Sequence, residues 1–144
     1  MFEHGKEHLP VENLLSGQGL VNIYRGYCKI DGIESLGLTP SQVSAHALNK
    51  TNVQCVKTMA LFSQVLGATA GDVALTMGAF GGIYLSGGIL PKVIDCLDET
   101  VIVDAFQAKG IQTNIMSNIP IHLVSAPMPA LVGAAHWMYD TTAT

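Results

Sequence analysis

The sequence predicts an α/β protein whose sheet is largely parallel and flanked by helices. Two short runs, Ile83–Leu85 and Pro120–Ser125 (PIHLVS), read as strands, and stretches with helical apolar spacing stand before, between and after them. Continuously apolar strands belong to sheets covered on both faces, and helices connecting parallel strands supply that cover. The 144 residues amount to one domain, with no repeat or low-complexity linker to divide them.

The elements follow in order. A charged helical turn in EHGKEHLP runs into Pro10, and Val11–Leu15 reads as a short strand followed by the glycine turn SGQGL, Ser16–Leu20. Leu20, Val21, Ile23, Tyr24 and Tyr27 give the first helix its apolar face. Thr39-Pro40-Ser41-Gln42 predicts a helix start with Thr39 as N-cap, Pro40 first in the helix and Gln42 closing a capping box; the helix runs to about Leu48. A nearly enclosed helix is expected from about Thr51 to Leu66, with Lys57 and Gln64 as its polar stripe. Gly67 and Gly71 share a helix face open to close backbone approach, and Asp72–Met77 continues as apolar helix. The stretch therefore reads as a buried helix pair leading into the strand Ile83–Leu85. Beyond it come helices over about Ile89–Leu97 and Asp98–Lys109, the latter ended by Gly110 as a left-handed cap. After the strand Pro120–Ser125, Pro127 and Pro129 frame a turn, and a last helix carries Leu131–Met138.

Composition narrows the function. The chain is 49% hydrophobic and 12% charged, with a mean hydropathy of +0.37, so it buries much of itself, meets a partner surface or enters a membrane. Glycines and polar residues interrupt the apolar region between Lys57 and Lys92, which argues against a spanning helix. Net charge −4, with basic residues scattered, argues against nucleic acid. The N-terminus MFEHGKEHLP lacks the apolar core of a signal peptide, and Cys28, Cys55 and Cys96 read as reduced thiols. A cytoplasmic protein is expected.

Few residues suggest chemistry by themselves. Glu12 stands between Val11 and Leu14–Leu15; it is either an exposed residue at a strand edge or a carboxylate whose two oxygens grip a polyhydroxyl ligand. Gly81–Gly82 and Gly87–Gly88 bracket Ile83–Leu85. In SGGILPK the second pair leaves a strand and opens a helix, which serves a packed turn or a ligand lying on bare backbone. Asp72, the sole charge between Lys57 and Lys92, reads as a cap or backbone hydrogen-bonding group near the glycine-flanked strand rather than a catalytic acid. His4 and His8 stand four apart without a third ligand, so no metal site is expected. No nucleophile has a supporting pattern.

Three strings carry a resemblance. ENLLSGQGLVNIYRGY resembles the E-x-V-L-S-G-P-G-L-V-N-x-Y segment of bacterial glucokinases, members of the hexokinase/actin-like superfamily. VLGATAGDVALTMGAFGGIYLSGGILPK resembles their long helix, glycine turn, strand and adenosine motif, and APMPALVGAAHW resembles their N-P-G-L-L-G-A-A helix. Gln18 stands where the family usually has proline, at some cost in turn rigidity.

The resemblance implies a ribonuclease-H-like fold and a kinase that uses Mg²⁺ and ATP to phosphorylate glucose. It implies Glu12 as a sugar-hydroxyl ligand, Gly87 and Gly88 against the adenosine of ATP, and Gly81–Gly82 as a structural turn. Family members also carry a D-x-G-G-T-N phosphate loop, a catalytic aspartate after asparagine, a G-T-G-L-G phosphate turn and an E-G-G-H sugar motif, none of which occurs in these 144 residues. The implied identity for residues 1–144 is thus the C-terminal part of the large domain. Its N-terminal partner portion is missing, its parent enzyme is a homodimer, and the piece has no catalytic or metal-ligating residue of its own. The alternative is a non-catalytic nucleotide-binding or dimerisation module of the same fold.

Overall fold

A computed structural model describes residues 9–126 and 128–142; the charged N-terminal turn with His4 and His8, and Pro127, lie outside the described residues. In chain order the elements are a 3-10 turn Val11–Asn13, α1 Gly17–Ile30, α2 Pro40–Leu48, α3 Val53–Met77, β1 Ile83–Leu85 and α4 Leu90–Val93. A 3-10 turn Ile94–Cys96 follows, then α5 Glu99–Gln107, a 3-10 turn Gly110–Gln112, α6 Thr113–Met116, β2 Ile121–Leu123 and α7 Pro129–Thr142.

Helix α3 is the axis of the fold, packed by α1, α2 and α5. The Asn52 side chain caps it by accepting from Cys55 N at 3.0 Å, and Gly78 ends it at φ +61°. A helix pair was expected here; one helix of 25 residues is found. Gly67 and Gly71 leave its hydrogen bonds intact and instead admit the backbone of α5. A Cβ on Gly67 would stand 2.1 Å from Ile102 O, and one on Gly71 2.5 Å from Phe106 O. By length and composition this helix could cross a membrane, yet half of the apolar window is buried among the protein's own elements.

The capping box at α2 forms as expected: Gln42 N donates to Thr39 Oγ1 at 3.3 Å and Thr39 N to Gln42 Oε1 at 2.9 Å. Asp98 caps α5 through Val101 N at 3.1 Å. That helix ends at Ala108, so Gly110, at φ +58°, opens the following 3-10 turn instead of capping it.

Val11–Leu15 is not a strand. Asn13 N donates back to Pro10 O, and Leu14 N and Leu15 N to Val11 O, which closes a local turn. The turn lets the adjacent Leu14 and Leu15 both pack on the core, whereas a strand would send them to opposite faces. SGQGL is a helix start rather than a free turn, because Ser16 Oγ accepts from Gly19 N at 3.0 Å and caps α1.

The sheet is smaller than expected. Its two strands are parallel, with Ile83 opposite Ile121, Tyr84 opposite His122 and Leu85 opposite Leu123. Ile83, Leu85 and Ile121 pack inward with Phe106, Met116, Ile119, Ala70 and Ala74. Tyr84 and His122 project from the other face and stack at 4.9 Å, so the strands alternate rather than being apolar throughout. A second, larger cluster joins Leu20, Tyr24, Val43, Met59, Phe62 and Leu90.

Cys28, Cys55 and Cys96 are free thiols, as expected. Burial, helped by Cys28 nearby, pushes Cys55 up to about 11. Asp72 is not a backbone cap: its carboxylate is exposed and accepts from Lys109 Nζ at 2.6 Å, while the same ammonium donates to Ala68 O at 2.8 Å.

At the end of α1, Asp31 accepts from Lys57 Nζ at 2.8 Å and Gln54 Nε2 at 3.2 Å. The bond from Lys57 leads, and that from Gln54 follows, in holding the Asp31 carboxyl below its ordinary value of 3.8. The carboxyl reverts on unfolding, so this stabilisation is complete above about pH 4 and is lost as pH falls through the lower folded value. Asp31→Asn is expected to flatten the acid limb of the stability curve without changing its shape near neutrality. Urea midpoints measured across the acid range check this, and an acid limb identical to that of the parent chain would refute it.

Candidate functional site

In open parallel sheets, ligands lie beyond the carboxyl ends of the strands. Here Val124 N donates to Leu85 O at 2.9 Å, so the loops after β1 and β2 leave the sheet together. One loop is Ser86-Gly87-Gly88-Ile89; the other leads through Met128, at φ +50°, into α7. Leu85 and Ile89 on one side, and Leu123 on the other, anchor this edge in the larger core cluster.

The two glycine pairs differ in a way that separates their roles. Gly82 has φ +133°, and a Cβ there would sit 3.2 Å from Pro120 Cγ, so Gly82 belongs to a packed turn into β1, while a Cβ on Gly81 would meet nothing within 4 Å. Gly87 has φ +154°, yet a Cβ at either Gly87 or Gly88 would meet nothing within 4 Å. Backbone conformation calls for glycine at 87, and packing adds no such demand at 87 or 88. The space above this edge is open, and α4 starts at Leu90 without a side-chain cap.

Glu12 lies on the 3-10 turn before α1. Its carboxylate is exposed and has no hydrogen-bond partner among the described residues, so both oxygens remain able to accept. Glu12 and the Gly87–Gly88 edge stand on different elements of the chain. They share a foundation, because Leu14 and Leu15 pack on the same core cluster as Leu85 and Ile89. Among the described residues no three of His, Cys, Asp and Glu gather as a metal-binding group.

Sequence reasoning missed the group that ties down the Glu12 turn. Asn22 Nδ2 donates to Asn13 O at 3.1 Å, and Gln18 Nε2 donates to Asn22 Oδ1 at 3.2 Å. The four-residue spacing of Gln18 and Asn22 on a helix was the available signal.

A family model described as Glucokinase matches residues 1–141. The chain belongs to the glucokinase family. It is similar to the glucokinase of Saccharophagus degradans, with 40% identity over 138 residues, covering 96% of this chain and 42% of that protein. It is similar also to the glucokinase of Agrobacterium fabrum, with 43% identity over 124 residues, covering 86% of this chain and 36% of the relative. A crystal structure of glucokinase from an Antarctic psychrotroph superimposes with a TM-score of 0.83 at 34% identity, covering 92% of this chain and 41% of the other. The chain thus spans about two-fifths of the length of these glucokinases, and the likeness runs through helices and sheet alike.

Proposed function

We propose that residues 1–144 are the C-terminal part of the large domain of an ATP-dependent glucokinase. The whole enzyme has a ribonuclease-H-like fold and works in the cytoplasm as a homodimer. Its reaction moves the γ-phosphoryl group of Mg-ATP to the 6-hydroxyl of glucose, the entry step of glycolysis. In this reading Glu12 accepts hydroxyl protons of the sugar, and Gly87 and Gly88 let the adenosine part of ATP lie against main chain. The observation that carries it is the match to the glucokinase family along nearly the entire chain at two-fifths of the relatives' length.

Phosphoryl transfer requires a base on the acceptor hydroxyl, Mg²⁺, and donors around the transferred group. The residues described here offer one wall of such a cleft, so the 144-residue chain by itself is expected to be inactive. The test is a coupled assay of glucose-dependent ADP release. It is run on the purified chain alone, then on the chain mixed with the complementary portion of the Saccharophagus degradans enzyme. No turnover alone and turnover on mixing is the expected pair of results. Glucose-dependent ADP release from the chain alone would overturn the reading.

A further inference from the structure

The turn that carries Glu12 is too short to hold its own shape. It contains three residues, closed only by local bonds from Asn13 N, Leu14 N and Leu15 N to the carbonyls of Pro10 and Val11. Its orientation comes from α1. Leu14 O lies 2.2 Å from where a Cβ on Gly19 would stand, so the end of the turn rests directly on helix backbone at a residue that must be glycine. One residue past Glu12, the carbonyl of Asn13 accepts from Asn22 Nδ2 at 3.1 Å. Among the described residues this is the one side-chain hydrogen bond that reaches the turn. An amide side chain has a donor end and an acceptor end. Gln18 Nε2 occupies the acceptor end of Asn22 at 3.2 Å, which turns its donor end toward Asn13.

We propose that Asn22, oriented by Gln18, is the positioning residue of the sugar subsite: it fixes the direction of the Glu12 carboxylate by holding the neighbouring carbonyl. The proposal rests on the reading of Glu12 as the sugar ligand. Hydrogen bonds from sugar hydroxyls weaken steeply with angle and distance, so a carboxylate on an untied turn binds glucose poorly even when it is present. Gly19 and Asn22 thus act together, one by allowing contact and the other by fastening it.

Asn22→Asp removes the bond. It keeps the size of the side chain and an acceptor for Gln18 but replaces the donor to Asn13 with a charged acceptor, so the uncharged Asn22→Leu, which also lacks the donor, is measured with it and must raise the glucose KM as well. The test uses the Saccharophagus degradans glucokinase with this chain in place of the matching 138-residue stretch. Loss of one hydrogen bond's worth of orientation predicts a glucose KM about tenfold higher, with kcat and the KM for ATP within about twofold of the parent. A purely structural role would lower the melting temperature without separating the two KM values. Glu12→Gln is run beside it. An unchanged glucose KM in Glu12→Gln overturns the reading of Glu12 itself. A raised KM there with an unchanged one in Asn22→Asp overturns the positioning role alone. If the graft does not fold, hydrogen exchange on the 144-residue chain decides. Asn22→Asp should speed exchange of the Asn13, Leu14 and Leu15 amides about tenfold while α3 keeps its protection. Unchanged protection of those three amides refutes the proposal.

Discussion

Gly67→Ala is expected to be among the most damaging single substitutions in the chain, although it adds one methyl group to a residue with ordinary helical geometry. In isolation alanine favours a helix over glycine by up to about 1 kcal/mol, so local propensity predicts a gain. Tertiary contact reverses the sign. The added Cβ would stand 2.1 Å from Ile102 O and 2.9 Å from Ile102 C, and these are backbone atoms that cannot swing aside. Relief requires α5 to move away from α3 along the contact that also seats Gly71 against Phe106 O. Overpacking commonly costs about 1–3 kcal/mol, and a clash with main chain belongs at or above the top of that range. At this chain length about 3 kcal/mol lowers the melting temperature by about 10 °C. Gly88→Ala serves as the control, since its Cβ would meet nothing within 4 Å. It should change stability by less than about 0.5 kcal/mol. Equal melting temperatures for Gly67→Ala and the parent chain would mean that α3 and α5 do not approach this closely.

Phe106→Ala carries the second large effect, and it reaches the candidate nucleotide edge. Phe106 is fully buried, and its cluster contains Ala70 and Ala74 of α3, Met116 and Ile119, and the inward residues Ile83, Leu85 and Ile121 of the sheet. Truncation leaves a cavity between helix and sheet that these side chains cannot close, which costs about 3–5 kcal/mol. Because a two-stranded sheet has little stability of its own, the loss should concentrate there. The amides of Ile83 and Val124, which bond Pro120 O and Leu85 O, are expected to lose exchange protection before those of α1 and α2. Phe62→Ala, in the other cluster, should lower stability to a similar extent without that preference. Uniform loss of protection in both variants would show that the sheet is not held chiefly by Phe106.

What was legible in the sequence was mostly local. Thr39, Pro40 and Gln42 specify a helix start within four residues, and the structure has it there. The strand Ile83–Leu85 and the α/β order were legible because glycine bounds a short apolar run. Distant contacts were not. Whether Gly67 and Gly71 break a helix depends on α5, which arrives more than thirty residues later. Asp72 looked isolated because its partner, Lys109, lies 37 positions away. Val11–Leu15 was misread because adjacent leucines suit a turn that rests on one core, and sequence pattern alone does not separate that from a buried strand. At the candidate site, Gly82 and Gly87 look alike in sequence; neighbours distinguish a glycine pressed on Pro120 from one facing open space. The proposed roles of Glu12, Gly87 and Gly88 came from the family resemblance, and geometry adds only that all three are accessible.

The most direct measurement is an NMR titration of the chain with ATP, following backbone amides. The account predicts that the largest shifts fall on Gly87, Gly88 and Ile89, whether or not glucose is present, and that Gly88→Ala weakens the response while the fold persists. Saturable ATP shifts centred on another surface, with Gly87 and Gly88 unmoved, would contradict it.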